Sequence, residues 1–563
     1  MNSEKNNSEN SESQKASVGN SEVQEITFSD LPEQSNLYAD YLFDFEKVKK
    51  YYGVDFSNDN ELRSHFSNVL TSFNPKRKKI VELLRGQNAQ LNNSSDYESM
   101  LTTLNSENAL AVVTGQQVGL FCGPLYTLFK TISAIKLAFE LKERFPEFEF
   151  VPVFWLEGDD HDLEESNHIH LLNSTSDVVR VEAIFTNGAE ENLQPLGEIK
   201  FDASIEQVFQ QIDALLRASD FKPALMNVLA AYYKEGETYS TAFARTLTKI
   251  LGKNILLIDP YDAEVKNILK PIFEKELQTY PKTSEEVIKQ SAELEENYHV
   301  QVKPRVLNLF YIEDGVRRGL EPIGSGMSLR GTKRKLMPEQ IRTILESKPE
   351  SFSPNVVLRP VCQDYLLPTA AYVAGPGEIA YFAQLKGVYQ HFGVEMPPLF
   401  PRATATILER KVAKVMDKYH LNLSDAFGDF EATMKKALAA ANPENIPGEF
   451  EEVTAEIKKA VERLEPLISR VDPTLKGTMD ATISRMLHHL QHLEEKATAG
   501  YRRKNEQVLQ QTKKFQQSIF PNRDLQERVL NFTYFYNKYG EEFMEILFRE
   551  LPAYAKNHKV IMI

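Results

Sequence analysis

Apolar residues recur along this chain in two periods, and the alternation between them outlines the fold. Leu110-Ala111-Val112-Val113 is a continuous apolar run of strand length. A loop with Gly115, Gly119 and Gly123 follows, and Pro124 stands where a first helical residue would, with φ already set and no N–H to lose. Leu125, Leu128, Phe129, Ile132, Ile135 and Phe139 then recur at three- and four-residue steps, which predicts a helix with one apolar face. Phe150-Val151-Pro152-Val153-Phe154-Trp155 reads as the next parallel strand, and Asn254 to Pro260 as a third. Helical periodicity fills Ser204 to about Leu251 and Ala263 to Thr279. Ala370 to Ala374, Gly375-Pro376-Gly377 and the face Ile379, Phe382, Leu385, Tyr389, Phe392 repeat the strand–glycine–helix unit. This order predicts an α/β fold, a doubly wound parallel sheet.

Outside that core the pattern changes three times. Tyr41 to about Leu104 reads as a helical preface, broken by the polar run Gly86 to Asp96. Arg305 to Ile323 reads as two strands around Glu313-Asp314-Gly315, a hairpin signal, followed by a flexible loop from Gly324 to Ser328 and a short helix from Pro338 to Ser347. From about Thr406 to Gln516, Lys, Glu, Ala, Leu and Gln dominate and aromatics are few, which predicts an antiparallel helical arm or coiled coil with breaks near Asn442-Pro443, Ile446-Pro447 and Asp472-Pro473. Residues 517–563 are aromatic-rich again and are expected to pack back on the core. The domain division is therefore 1–22 as a disordered tail of Ser, Asn and Glu, 23–405 as the core, 406–516 as the arm and 517–563 as the returning segment.

Composition narrows the function classes. The 563 residues carry a formal net charge of −15, which argues against a general nucleic-acid binder. Two cysteines, Cys122 and Cys362, exclude a disulfide framework and point to a reducing cytoplasm. No apolar run reaches the length of a membrane span and no secretory leader opens the chain.

The candidate chemistry lies where the apolar runs end. Strand, glycine loop and helix together place backbone N–H groups at the carboxyl edge of a parallel sheet. Gly115, Gln116, Gln117 and Gly119 form the first such loop, although it is neither a P-loop nor a GxGxxG. The second strand runs into Glu157-Gly158-Asp159-Asp160-His161-Asp162. Here His161 is expected to act as acid or base, with Asp159 or Asp162 setting its tautomer and raising its pKa. His161, Glu164 and His168, spaced i, i+3, i+7, could instead share a helical face and bind a metal, although the spacing is not HExxH and no metal is assigned. The third cluster adds Asn355, Arg359, Gln363, Asp364, Gly375 and Glu378. Arg359, between Leu358 and Pro360, is expected to be paired, with Asp364 the obvious partner, or to face a ligand. The pocket is expected between the Gly115–Gly119 loop, the Asp159–Asp162 stretch and the Gly375–Glu378 loop, with the positive end of the helix at Pro124 pointing into it.

Four stretches carry a family resemblance: TGQQVGLFCGPLYTLFK (114–130), FWLEGDDHDLEESNH (154–168), SPNVVLRPVCQDYLLPTAAYVAGPGEIAYFAQL (353–385) and FPNRDLQERVLN (520–531). They resemble the bacillithiol-biosynthesis cysteine-adding enzymes, the BshC family. That resemblance implies a Rossmann-like core with inserted connecting segments, a long coiled-coil domain and a homodimer. It also implies a ligase that joins L-cysteine through its carboxyl to the amine of glucosaminyl-malate, the last step of bacillithiol synthesis. Malate brings two carboxylates, for which Arg359 or Arg402 is a sensible contact. Amide formation needs an activated carboxyl, so ATP is a candidate cofactor. The core also resembles class I synthetases, but the chain has no HxGH or KMSKS pattern, which argues against an aminoacyl-adenylate route. A metal-dependent hydrolase centred on the GDDHD stretch and a non-catalytic assembly protein built on the arm remain the alternatives.

Overall fold

The computed structural model describes residues 24–563 except 33, 93–95, 186–192, 253–254 and 442–445. The expected disordered tail and the break at Asn442-Pro443 lie outside the described residues.

Five parallel strands form the centre: β1 (Ala109–Gln117), β2 (Glu149–Glu157), β3 (Leu256–Ile258), β4 (Thr369–Ala374) and β5 (Leu399–Pro401). Their spatial order is β5-β4-β1-β2-β3, so the chain winds outward from β1 in one direction and restarts on its other side with β4. The crevice between β1 and β4 is the switch point at which doubly wound sheets bind ligands. β1 and β2 pair in register from Ala109 opposite Glu149 to Gln117 opposite Glu157. The first seven positions of β1 are buried, as expected of a strand covered on both faces. Helix α1 (Leu125–Arg144) makes the crossover between them. Leu125, Leu128, Phe129, Ile132 and Ile135 are buried in it as the periodicity predicts, whereas Phe139 is 69% exposed. β5 has no counterpart in the sequence reading, because three residues beside Pro397-Pro398 carry too short a pattern to register.

The connecting segments are insertions between the core strands. Between β2 and β3 lie a two-stranded antiparallel sheet (His168–Leu172 with Val178–Glu182) and helices Ile205–Leu215, Lys222–Tyr232 and Tyr239–Leu251. Between β3 and β4 a five-stranded antiparallel sheet contains the expected hairpin, Leu309–Glu313 with Val316–Ile323. Asp314 and Gly315 turn it at φ 53° and 79°, the left-handed pair that a two-residue hairpin requires. Gly326–Leu329, expected as loop, is a strand paired to Val316–Ile323, with Gly324 supplying a second turn at φ 56°.

The helical preface also departs from expectation. Helix Arg77–Leu91 runs on through Gly86, Gln87 and Asn88 instead of breaking there. Those polar residues face the edge of the sheet rather than water. Asn88 donates to Leu257 O at 2.8 Å and accepts from Leu257 N at 2.9 Å, while Gln87 does the same for the backbone of Asp259 at 3.0 and 2.9 Å. The free edge of β3 is thereby covered by side-chain amides.

Beyond the sheet, Ala405–Leu408 is a strand, so the arm begins only at helix Arg410–Tyr419. That strand pairs parallel to Asn557–Met562, which pairs antiparallel to Gln24–Thr27. The last segment thus lies against the core through Phe532, Phe535, Phe543 and Leu547, all buried. The arm itself is built of long helices, Ile446–Glu462 and Lys476–Lys504 among them.

Candidate functional site

A cavity of about 440 Å³ opens at the β1–β4 switch point. Gly115, Gln116 and Gln117 at the end of β1 form one wall, and Gly375 and Glu378 after β4 form the facing one. Arg359, at the start of helix α2 (Arg359–Leu366), and Arg402 complete the predicted residues that line it.

Each cation in the inner wall has an acidic partner. Lys130, from the second turn of α1 and 3% exposed, lies 2.7 Å from Glu378 and donates to Gly115 O at 2.6 Å. Gly115 is needed here because β1 and β2 approach too closely for a side chain: a Cβ would lie 2.9 Å from Trp155 O. Glu378 also accepts from Gly375 N at 2.7 Å, capping helix α3 (Pro376–Phe382), and from the Tyr372 hydroxyl at 2.7 Å. Burial would raise its pKa, yet Lys130 and these donors hold it below the usual carboxylate range. Burial, opposed by Glu378, lowers that of Lys130. Arg402 meets Glu527 of the returning segment at 2.7 Å, with both side chains nearly sealed from solvent.

Arg359 is paired, but with Glu157 at 3.2 Å rather than with Asp364, and it also donates to the Tyr381 hydroxyl at 2.6 Å. Asp364 instead accepts from Tyr389 at 2.5 Å and from Gln363 at 3.1 Å, behind the cavity wall. Asn355 accepts from Val357 N and Leu358 N at 3.0 and 3.2 Å, which makes it a cap at the entrance to α2 rather than a wall residue. Gly119 does not line the cavity either.

The GDDHD stretch stands one layer back. Asp159 forms a fully buried pair with Lys266, so it is not the group that orients His161. Asp162 accepts from Glu165 N at 3.2 Å and caps the helix Leu163–Ser166. His161 Nδ1 accepts from Arg317 Nη1 at 2.8 Å, which leaves the neutral ring with its proton on Nε2. Burial and the Arg317 charge lower the His161 pKa, the reverse of the expected rise. Arg317 itself is fixed by Ser353 Oγ at 2.8 Å, Pro354 O at 2.9 Å and the Phe310 ring at 3.7 Å. The stretch reaches the cavity through Asp160, which accepts from Gln117 Nε2 at 2.6 Å and from His161 N at 2.7 Å. Because the helix after His161 is four residues long and His168 begins a strand, His161, Glu164 and His168 share no helical face. Among the described residues no group of three or more His, Cys, Asp or Glu is placed to hold a metal ion.

The positive end of α1 is also covered. Leu125 N donates to Leu530 O at 2.9 Å, and Asn531 Nδ2 donates to Phe121 O and Gly123 O at 2.9 and 2.6 Å. The returning segment occupies the space expected for a ligand, and α1 offers the cavity Tyr126 and Lys130 instead.

Sequence reasoning missed Lys130, Glu157 and Tyr381 as wall residues. A lysine within an apolar helix and a glutamate ending a buried strand were the available signals, since each needs a partner to be buried.

Two family models match. The bacillithiol biosynthesis BshC N-terminal Rossmann-like domain matches residues 22–403, and the BshC C-terminal coiled-coil domain matches 405–563. Among curated relatives, a protein of Chlorobaculum tepidum named putative cysteine ligase BshC is 34% identical, over 94% of this chain and 96% of that one. A protein of the same name from Salinibacter ruber is 34% identical, over 93% and 96%. A solved structure of a putative arginyl-tRNA synthetase from Campylobacter jejuni aligns over 82% of this chain and 98% of that one at 9% identity, but its TM-score of 0.22 carries no weight for fold or function.

Proposed function

The chain belongs to the BshC family of bacillithiol biosynthesis, and on that premise we propose that this cysteine ligase joins the carboxyl of L-cysteine to the amine of glucosaminyl-malate in the last step of the pathway. The observation that carries the reading is the ring of paired charges at the switch point: Arg359 with Glu157, Lys130 with Glu378, Arg402 with Glu527. Both substrates bear an amine and at least one carboxylate, and such a wall offers each charge an opposite one. Arg359 is the contact for a malate carboxylate, because it lines the cavity and, among the described residues, its Nη1 and Nη2 are held only by the neutral Gln363 Oε1 at 3.3 Å and Tyr381 hydroxyl at 2.6 Å while Glu157 engages Nε. Gln116 and Gln117 add uncharged donors and acceptors for the sugar hydroxyls. His161, Asp160 and Arg317 form the support that fixes Gln117 from behind. Asp159 and Asp162 hold the stretch after β2 that carries His161, one through Lys266 and one through its cap.

Making the amide from a free carboxylate requires activation, and a nucleoside triphosphate such as ATP is the co-reactant of that class. Two copies of the chain act together through the arm, in the cytoplasm. Among the described residues no helix is long and apolar enough to cross a membrane.

The test is direct. Purified protein is incubated with L-cysteine, glucosaminyl-malate and each of the common nucleoside triphosphates, and the products are weighed by mass spectrometry. A product at the summed substrate masses less one water is expected. Its absence with every nucleotide contradicts the reading.

A further inference from the structure

Glu157 is the last residue of β2 and forms part of the cavity wall beside Gly115–Gln117. Its two charged or polar neighbours bind the same oxygen: Arg359 Nε lies 3.2 Å and Trp155 Nε1 3.1 Å from Oε2. Among the described residues nothing hydrogen-bonds Oε1, and the side chain keeps 18% exposure, which is toward the cavity. The other carboxylates of the wall are held differently. Glu378 has Oε2 engaged by Lys130 and Gly375 N and Oε1 by Tyr372, and Glu165 sits exposed on the rim. One carboxylate is therefore anchored through a single oxygen and presents the other to whatever fills the cavity.

We propose that Glu157 Oε1 is the base that deprotonates the attacking amine. This rests on the ligase reading above. The substrate ammonium gives one proton to Oε1, and its N–H electron pair becomes the lone pair that attacks the cysteine carboxyl carbon. That carbon has been activated as a mixed anhydride with phosphate by a nucleoside triphosphate. The C–N bond forms, the C–O bond to the phosphate breaks, and the phosphate group leaves with the electron pair and takes up the second N–H proton, so that the amide is neutral. Glu157 then releases its proton to solvent. Arg359 and Trp155 hold the carboxylate in place during the transfer and stay bound to Oε2.

The electrostatics suit the role. Burial pushes the Glu157 carboxyl up to about 7; Asp159 and Asp160 add to the rise, and Arg359 and Arg317 oppose it. Tyr381, whose hydroxyl burial keeps in the neutral form, and the buried Cys362 thiol complete the titratable groups around it. A base works best with a pKa near the operating pH.

The experiment is the pH dependence of amide formation by the purified full-length protein, between about pH 6 and 9, for wild type and Glu157→Gln. Glutamine keeps an oxygen for Arg359 and Trp155 but takes no proton. The wild-type rate is expected to rise through an apparent pKa near 7. In the variant the rate is expected to fall by about 10²–10⁴-fold, the usual worth of a general base, and to lose that rise. A variant within threefold of wild type and with the same profile overturns the inference while leaving the ligase reading standing. If Glu157→Gln does not fold, the wild-type profile decides alone, and a rate with no rise near pH 7 overturns the assignment. No product from wild type under any nucleotide removes the ligase reading, and the inference with it.

Discussion

Lys130 shows how much of this site rests on single buried charges. It sits in α1 with 3% exposure, and among the described residues its ammonium is satisfied only by Gly115 O, Glu378 and, at 3.5 Å, Gln116 Oε1. Removing it leaves a carboxylate and a backbone carbonyl without their partner in a desolvated place. Lys130→Met is expected to destabilise the protein by about 3–5 kcal/mol, the cost of breaking rather than replacing a buried pair. Lys130→Met with Glu378→Gln should recover part of that loss, because the orphaned charge is gone. Urea unfolding of the two variants and the wild type measures both. A single variant as stable as wild type, or a double variant worse than the single one, contradicts this account of the pair. The same residue marks a limit of sequence reading. Spacing showed that α1 has an apolar face but could not show that the face opposite also meets protein, and only that second burial makes Lys130 a wall residue.

At the scale of elements, periodicity located the strands and helices that carry long apolar patterns. β1, β2, β4 and α1 all fall where their runs predicted, and of the three loops between which the pocket was expected, those after β1 and β4 line the cavity while the Asp159–Asp162 stretch stands behind it. What escaped was side-chain pairing across distant elements. Asn88 looks like a helix breaker until β3 is seen to lie against it, and Asp159 looks like a partner for His161 until Lys266 arrives from a helix a hundred residues on. The same limit hid Leu530 and Asn531, which cover the start of α1 from the far end of the chain. The arm yields a prediction of its own. Leu464, Leu467, Val471, Leu475, Met486 and Leu493 are 40–73% exposed there, more apolar surface than a helical arm leaves in water without a partner. Light scattering is expected to show a dimer for the full chain and a monomer once residues 442–505 are replaced by a short linker. A dimer that survives the replacement contradicts the assignment of the arm as the contact.

On the scale of the whole molecule, the charge pattern and the fold argue for one kind of work. The parallel sheet supplies a crevice, the two insertions wall it on the β2 side, and the returning segment closes the β4 side with Glu527 against Arg402. Net charge is −15, and in the cavity Lys130, Arg359 and Arg402 are each matched by a carboxylate, so the wall presents paired charges rather than a net field. Each of its charged walls is neutralised for the part of the cycle when the cavity is empty, and an incoming carboxylate or ammonium meets a charge of opposite sign. The account therefore stands on one claim, that this chain adds cysteine to glucosaminyl-malate. The measurement that tests it most directly is the thiol metabolite profile of a strain lacking the gene, with and without the wild-type gene restored. The account expects bacillithiol to disappear and glucosaminyl-malate to accumulate, and both to return to normal on restoration; bacillithiol at the wild-type level in the strain without the gene would contradict it.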